Sequence, residues 1–179
     1  MSRLKRIPEL LKQAVPSATR VAGLGGLSWP RLTPELEEPA RSLGLELHFF
    51  QVREPTAFDS AFAAMTTAHV QALFVLADPF FASYYQQITD RAAQQQLPSV
   101  CGGRSYVEAG CLMSYGNNPQ ERPQRIAVYV DKILRGAKPA DLPVEQLMRF
   151  EFVINLKTAQ TLGLTMPPLL LYQADEVIR

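Results

Sequence analysis

The protein has 179 residues, of which 47% are hydrophobic, and this is enough for one ordinary α/β domain with a sizeable core. Eighteen lysines and arginines oppose seventeen aspartates and glutamates, and no basic stretch is interleaved with aromatic residues, which excludes nucleic acid as an expected partner. No apolar run reaches the roughly 20 residues of a membrane span, and the N-terminus lacks the apolar segment of a signal peptide. As written, the sequence predicts a soluble, unsecreted, cytoplasmic protein.

Short apolar runs alternate with longer amphipathic runs along the first hundred residues. The apolar runs, bounded by Gly, Pro or Asp, predict buried strands over residues 20–24, 45–52, 71–77 and 98–102. The amphipathic runs predict helices over residues 4–14, 34–43, 58–67 and 80–95. This order indicates βαβ units, so we expect an α/β fold with a parallel sheet and helices on both faces.

Three of these helices carry recognisable end signals. Pro34 suits the first turn of a helix, and Gly44 follows the last turn of the same helix. Thr56 is a plausible cap for the next helix. Asp78 precedes Pro79 and can accept backbone N–H groups at the start of the helix that follows.

The pattern changes after residue 116. A helix is predicted over residues 122–134, and a last strand and a short helix over residues 149–155 and 156–163. The helix over 122–134 places Ile126, Val130, Ile133 and Leu134 on one face. That apolar stripe needs a partner.

Two sequence features suggest a nucleotide-binding loop or a catalytic cysteine, but both match these motifs poorly. The segment "GLGGLSWP" (residues 23–30) follows a strand and precedes a helix, yet Ser28 stands where a dinucleotide loop needs its third glycine. A tight turn that lines a site is the favoured interpretation. Cys101 lies at a strand end but would need a histidine partner to act as a nucleophile.

Asp78 is the stronger site candidate, because it lies at the carboxyl end of a strand, where open parallel sheets bind ligands. A capping role competes with this function, and one side chain can serve both.

We expect Cys101 and Cys111 to be free thiols, since a bridge requires the fold to bring their Cα atoms close together. His48 and His69 are interpreted as structural or surface residues, and the sequence indicates neither a metal site nor a cofactor.

Several phrases in fixed order resemble the substrate-binding proteins of ABC transporters, in the branch that includes tryptophan and tyrosine receptors. They are "RSYVEAGCLMSYG" (104–116), "AVYVDKILRGAKPADLPVEQ" (127–146), "FEFVINLKTAQTLGLTMPP" (150–168) and "ADEVI" (174–178). Cys111 stands where this family usually has glycine. The resemblance implies the type I periplasmic-binding-protein fold, in which two α/β lobes joined by hinge crossings close on a ligand.

The resemblance covers the second half of such a receptor, and it implies that residues 1–179 form one lobe. Within this lobe, residues 1–115 are expected to hold the main sheet and the hinge, 116–148 the return helix and a crossing, and 149–179 the last strand and tail. The hinge crossing is expected over residues 110–116.

The implied function is that of the solute-binding component of an uptake transporter, without catalysis. The ligand wall is expected at the strand ends, with these residues: Gly25, Gly26, Ser28, Asp78, Cys101, Gly103 and Tyr115. The expected ligand is small, amino-acid-like and weakly bound, and Asp78 would hold its amine.

The implied partners are an ABC permease, if a first lobe exists, and a second copy of the chain bound through helix 122–134. A fragment of a longer receptor would be periplasmic or anchored at the cell surface. Two alternatives stay open: a vestigial or structural lobe without a ligand, and a nucleotide- or Cys-dependent enzyme.

Overall fold

A seven-stranded β-sheet forms the centre of the protein. The computed structural model describes residues 3–26, 29–117, 121–143 and 150–179. The strands are β1 (Arg20–Gly25), β2 (Glu46–Gln51), β3 (Ala72–Val75), β4 (Ser99–Cys101), β5 (Met113–Asn117), β6 (Phe150–Asn155) and β7 (Glu176–Ile178).

The strands lie in the order β2-β1-β3-β4-β5-β6-β7. The first five strands of the chain run parallel to one another, and Val75 of β3 lies opposite Cys101 of β4. Strand β6 is antiparallel to β5, and β7 is parallel to β6. The carboxyl ends of β1 to β5 therefore meet at one edge of the sheet, which we call the carboxyl edge.

Helices cover both faces of the sheet, and this confirms the predicted α/β architecture. They are α1 (Arg3–Ala14), α2 (Trp29–Ser42), α3 (Ala57–Thr67), α4 (Pro79–Ala82), α5 (Tyr85–Gln94), α6 (Arg104–Glu108), α7 (Glu121–Leu134), α8 (Leu156–Thr161) and α9 (Pro168–Gln173). In the part of the chain that the structure describes, no helix has the length and apolar character to cross a bilayer.

Alternation along the strands divides the apolar side chains between two cores. Phe74 of β3 faces a core that includes Leu10 and Leu11 of α1. Its neighbours Leu73 and Val75 face a second core, built on α3 to α6. Both sides of β3 are buried, as expected for a central parallel strand.

The predicted helices differ from the structure in three details. Helix α2 begins at Trp29, so Pro34 lies inside the helix instead of at its start. The helix expected over 80–95 is two helices, α4 and α5. Thr56 precedes α3, but its side chain makes no capping hydrogen bond. Pro34 would mark a helix start only if the helix began beside it, and α2 begins earlier. Thr56 directly precedes α3, but its backbone is already helical, whereas a capping residue normally has an extended backbone.

Four short elements were not predicted: α6, β5, α9 and β7. Strand β5 occupies most of the segment expected as a flexible hinge crossing, and it is paired on both sides. The turn that precedes it contains Gly110 with a φ of 115°, a backbone conformation that glycine adopts most readily. The segment is therefore a turn followed by a regular strand.

Helix α7 exposes the apolar stripe that the sequence indicated. The exposed fractions are 57% for Ile126, 48% for Val130, 41% for Ile133 and 82% for Leu134. These residues contrast with the stripe of α1, where Ile7, Leu10 and Leu11 are buried. An apolar stripe that is left in solvent marks an interaction surface.

The two cysteines form a disulfide, so the prediction of free thiols was wrong. Helix α6 and the turn at Gly110 bring the chain back beside β4, and the Cα atoms of Cys101 and Cys111 lie 6.7 Å apart. Both cysteines are buried in the core on the α3 to α6 side. The bridge closes the segment that carries Gly102, Gly103 and α6.

We expect replacement of both cysteines by alanine to lower the free energy of unfolding by roughly 2 to 4 kcal/mol, because the bridge restricts the unfolded chain. Urea denaturation of the wild type and of the double variant measures this difference. Oxidised wild type, unfolded without reductant, should show no free thiol with a thiol reagent. Two reactive thiols per chain under these conditions would contradict the bridge.

Candidate ligand-binding edge of the sheet

Asp78 is the acidic group at the centre of the carboxyl edge. It follows β3, and its Oδ1 accepts a hydrogen bond of 2.9 Å from the backbone N–H of Phe80. The predicted capping role is thereby confirmed. The carboxylate also lies against Gly26, where a Cβ atom would overlap Oδ2. One carboxylate oxygen is thus held by the cap, while the other lies beside the turn after β1.

Glycines allow the strand ends to approach one another closely. A Cβ atom on Gly102 would lie 2.8 Å from the Cα atom of Ala77, and one on Gly116 would overlap the carbonyl oxygen of Gly102. Gly103, by contrast, has open space where a Cβ atom would be. The turns after β3 and β4 and the end of β5 therefore touch through their backbones.

Gln51 links the end of β2 to the same edge. Its side-chain amide donates a hydrogen bond of 3.1 Å to the carbonyl oxygen of Gly26, and its Oε1 accepts one of 2.9 Å from Arg53. Sequence reasoning missed Gln51, although a polar residue at the end of a strand is a usable signal.

Tyr106 of α6 is a second group that sequence reasoning missed. Its side chain is 5% exposed, and its hydroxyl is buried without a hydrogen-bond partner among the residues that the structure describes. Burial raises the pKa of Tyr106, and the negative charge of Asp78 raises it further. The phenol therefore stays protonated and remains a hydrogen-bond donor at neutral pH.

The other residues predicted for the ligand wall do not all lie at the carboxyl edge beside Asp78. Gly25 and Gly26 are buried at the end of β1, and Ser28 lies outside the described residues. Cys101 is buried, and its sulfur is bonded to Cys111, so it presents no thiol at the edge.

Tyr115 packs against Phe150 and Phe152, with ring centroids 5.4 Å and 6.3 Å away. Tyr115 thus joins the core on the α1 side, whereas Tyr106 belongs to the opposite core.

An ion-pair network ties α6 to the last two strands. The Arg104 guanidinium binds Glu176 through two hydrogen bonds of 2.6 Å and 2.7 Å. It also binds Glu108 at 2.8 Å and lies 3.7 Å from Glu151. The hydrogen bonds from Arg104 lower the pKa of Glu176, so this contribution to stability is present above the ordinary glutamate pKa and is lost as the pH falls through the lowered value. Because the Glu176 side chain is 42% exposed, solvent screening keeps the contribution small.

Among the described residues, no group of three or more His, Cys, Asp or Glu side chains is arranged to hold a metal ion. The polar groups described at the edge are the Asp78 carboxylate, the Gln51 amide and closely spaced backbones. Such groups bind and orient polar ligands.

The sequence of the chain matches a known protein family. Residues 2–178 match the model of the family described as ABC transporter substrate binding protein. The chain belongs to this family. The family resemblance drawn from the sequence phrases is thereby confirmed.

Solved structures of similar proteins support the same fold. An ABC domain from Streptococcus pneumoniae, in complex with L-Trp, is 28% identical with a TM-score of 0.89, and the match covers 98% of this chain and 60% of that one. A conserved domain protein from Vibrio cholerae is 26% identical with a TM-score of 0.88, and the match covers 99% of this chain and 60% of that one. The chain thus spans about 60% of the length of both structures.

A ligand-free, open substrate-binding protein with adhesive properties from Clostridium difficile shares the fold. It is 21% identical with a TM-score of 0.67, and the match covers 95% of this chain and 58% of that one. No functionally curated protein is significantly similar in sequence.

We expect Gly116→Ala to destabilise the protein by roughly 1 to 3 kcal/mol, because the added methyl group would overlap the carbonyl oxygen of Gly102 and force β4 and β5 apart. Gly103→Ala is the matched control, since that position has room for the methyl group. Denaturant unfolding of both variants measures the difference. Equal stability of the two variants would contradict the close approach of the strands.

Proposed function

We propose that this chain is a solute-binding lobe of an ABC uptake system, which binds a small amino-acid-like ligand without chemical conversion. The observation that carries the proposal is the position of the Asp78 carboxylate at the carboxyl edge of the sheet. Ligands of open parallel sheets bind at this edge. The family membership and the L-Trp bound to the Streptococcus pneumoniae protein support a solute of this class.

Asp78 is proposed to bind the ammonium group of the ligand. Its Oδ1 is fixed by the Phe80 N–H, and no donor to Oδ2 is found among the described residues. Phe80 is half-buried and belongs to an aromatic group with Phe58 and Tyr84, with ring centroids 5.9 Å and 5.0 Å away. A carboxylate beside partly exposed aromatic surface suits an amine that carries an apolar side chain.

The rest of the wall is proposed from the turns beside Asp78. Gly103 has open space in which a ligand can approach its backbone, whereas Gly26 lies against the Asp78 carboxylate. Gly25 and Gly26 remain proposed members of the wall at the end of β1. Ser28 and Tyr115 remain proposed members of the wall. Tyr115 is only half-buried, so part of its ring is open to the surroundings of β5.

We also propose that the whole chain forms one lobe with three parts. Residues 1–115 would form the sheet and hinge of one lobe, 116–148 the return helix and crossing, and 149–179 the last strand and tail. Because the chain spans about 60% of its solved relatives, a second wall for the ligand and contact with an ABC permease belong to this proposal.

Binding is favoured over the enzyme alternatives. The disulfide consumes the Cys101 thiol, which the Cys-dependent alternative requires as its nucleophile. The disulfide also supports export to the periplasm or cell surface, because such bonds persist in oxidising compartments. The earlier cytoplasmic expectation is therefore replaced, in this proposal, by an exported location.

Calorimetric titration with aromatic and branched amino acids tests the role of Asp78. A single wall encloses a ligand poorly, so we expect millimolar dissociation constants, equivalent to about 4 kcal/mol. Asp78→Asn should weaken binding about tenfold or more, because asparagine can keep the helix cap but lacks the charge.

Asp141→Asn, a change at an exposed aspartate away from the sheet, serves as the charge-matched control. Micromolar binding that survives the change at Asp78 would overturn both the weak site and the role of Asp78.

The apolar stripe of α7 is proposed to bind a second copy of the chain. Four neighbouring exposed apolar residues on one helix form a surface that can pair with itself about a two-fold axis. Val130→Lys should shift the protein towards monomer in sedimentation velocity, whereas Gln124→Lys, on the other side of the helix, should not. A wild-type monomer at micromolar concentrations would exclude the dimer.

A further inference from the structure

Strand β2 forms one edge of the sheet, and in the described part of the chain it pairs only with β1. It has six residues without proline or glycine, whereas β7 at the opposite edge has three. Its register with β1 is uninterrupted, so no bulge turns the edge away. Proteins usually shorten, bulge or cover such an edge, because its outer backbone groups attract another strand.

The backbone hydrogen bonds of β2 show which groups point outward. The N–H groups of Glu46 and Val52 donate to the carbonyl oxygens of Thr19 and Gly25, at 2.7 Å and 3.1 Å. Because the backbone groups of successive residues point to opposite sides of a strand, those of Leu47 and Gln51 point away from β1. The described residues offer these outward groups no backbone partner.

A groove of about 420 Å³ lies beside the amino end of β2. One wall is the strand itself, and the other is the last part of α2. The lining residues are Glu37, Arg41, Gly44, Leu45, Glu46 and Leu47. A groove between an edge strand and a helix fits an extended chain, whose backbone pairs with the strand while its side chains contact the helix.

A second copy of β2 fits this edge in antiparallel orientation, about a two-fold axis beside Phe49. In this register Leu47 of each copy lies opposite Gln51 of the other, so the outward backbone groups of these residues pair twice. A register shifted by two residues would place Glu46 opposite Glu54, and like charges in opposite positions are destabilising.

The charges at the two ends of β2 are complementary in the same register. Arg53 is exposed and follows the carboxyl end of the strand, so Arg53 of the second copy comes opposite Leu45, at the groove. Leu45 packs into the core that α2 covers, so this arginine lies on the side of Glu37. The carboxylates of Glu37 and Glu46 outnumber the guanidinium of Arg41 in the groove. The two-fold axis repeats this attraction at both ends.

We propose that β2 is a self-association surface, through which two copies of the chain join antiparallel into one continuous sheet. The contact is independent of the solute site at the carboxyl edge. It also lies at the other end of the strand order from β5 and β6, between which α7 is inserted, so it does not overlap the apolar stripe of α7.

The first test uses the full chain with Val130→Lys, which removes the contact proposed for α7. We expect sedimentation velocity at high micromolar concentration to show a dimer joined through β2. A monomer under these conditions would overturn the proposal and leave the edge open to a strand of another protein.

The second test reverses charges in the Val130→Lys chain. Glu37→Lys and Arg53→Glu should each raise the dissociation constant of the dimer by about tenfold, because two attractions become two repulsions. An equimolar mixture of the two variants should restore the dimer, since opposite charges then face each other at both ends. Within one chain these residues lie about 20 Å apart along the strand direction, at roughly 3.3 Å per residue, so an internal ion pair cannot explain the rescue.

Glu38→Lys is the matched control, because Glu38 is an exposed neighbour on α2 that does not line the groove. It should leave the dimer intact. Equal weakening by Glu37→Lys and Glu38→Lys, or a mixture that stays monomeric, would overturn the antiparallel register.

Hydrogen exchange followed by NMR tests the backbone pairing directly. The amides of Leu47 and Gln51 should exchange slowly in the dimer and rapidly in the Glu37→Lys monomer, whereas the inward amides of Glu46 and Val52 should stay slow in both. Slow exchange at Leu47 and Gln51 in the monomer would mean that the same chain covers the edge, and this would overturn the proposal.

Discussion

The backbone contacts between the turns after β3 and β4 and the end of β5 determine the shape of the carboxyl edge. Gly102 lies against Ala77, and Gly116 lies against the carbonyl oxygen of Gly102, closer than any side chain would permit. These contacts bring Asp78, Gly103 and α6 to one place. With a larger residue at either glycine, the turns would separate, and the turn that carries Asp78 would no longer lie against the end of β4.

Much of the fold could be predicted because its central strands are short apolar runs with clear boundaries. Phe74 and its neighbours are buried on both faces, and such strands have a strong sequence signal. The elements that were missed are short or mixed in composition. Strand β5 contains Ser114 and Gly116, which argue against a strand locally, and only its pairing with β4 and β6 explains it. Tertiary context overrides local preference there.

The candidate site could be predicted only where a residue carried a local signal. Asp78 was identified because a carboxylate followed a strand and preceded a proline, and both features depend on sequence neighbours. Tyr106 has no such signal, since only the folded core buries its hydroxyl. The disulfide was missed for the same reason: only the return of the chain after α6 brings Cys111 to Cys101.

The antiparallel pairing of β5 and β6 gives the chain a modular construction. Asn117, where the chain leaves the sheet, is the register partner of Phe150, where it returns. The two ends of the intervening segment, which includes α7, are therefore held together by the sheet itself. The entropy of closing such a loop grows only with the logarithm of its length, so evolution can lengthen, shorten or exchange this segment at little thermodynamic cost. The sheet and its carboxyl edge can then stay constant while the surface carried by α7 diversifies.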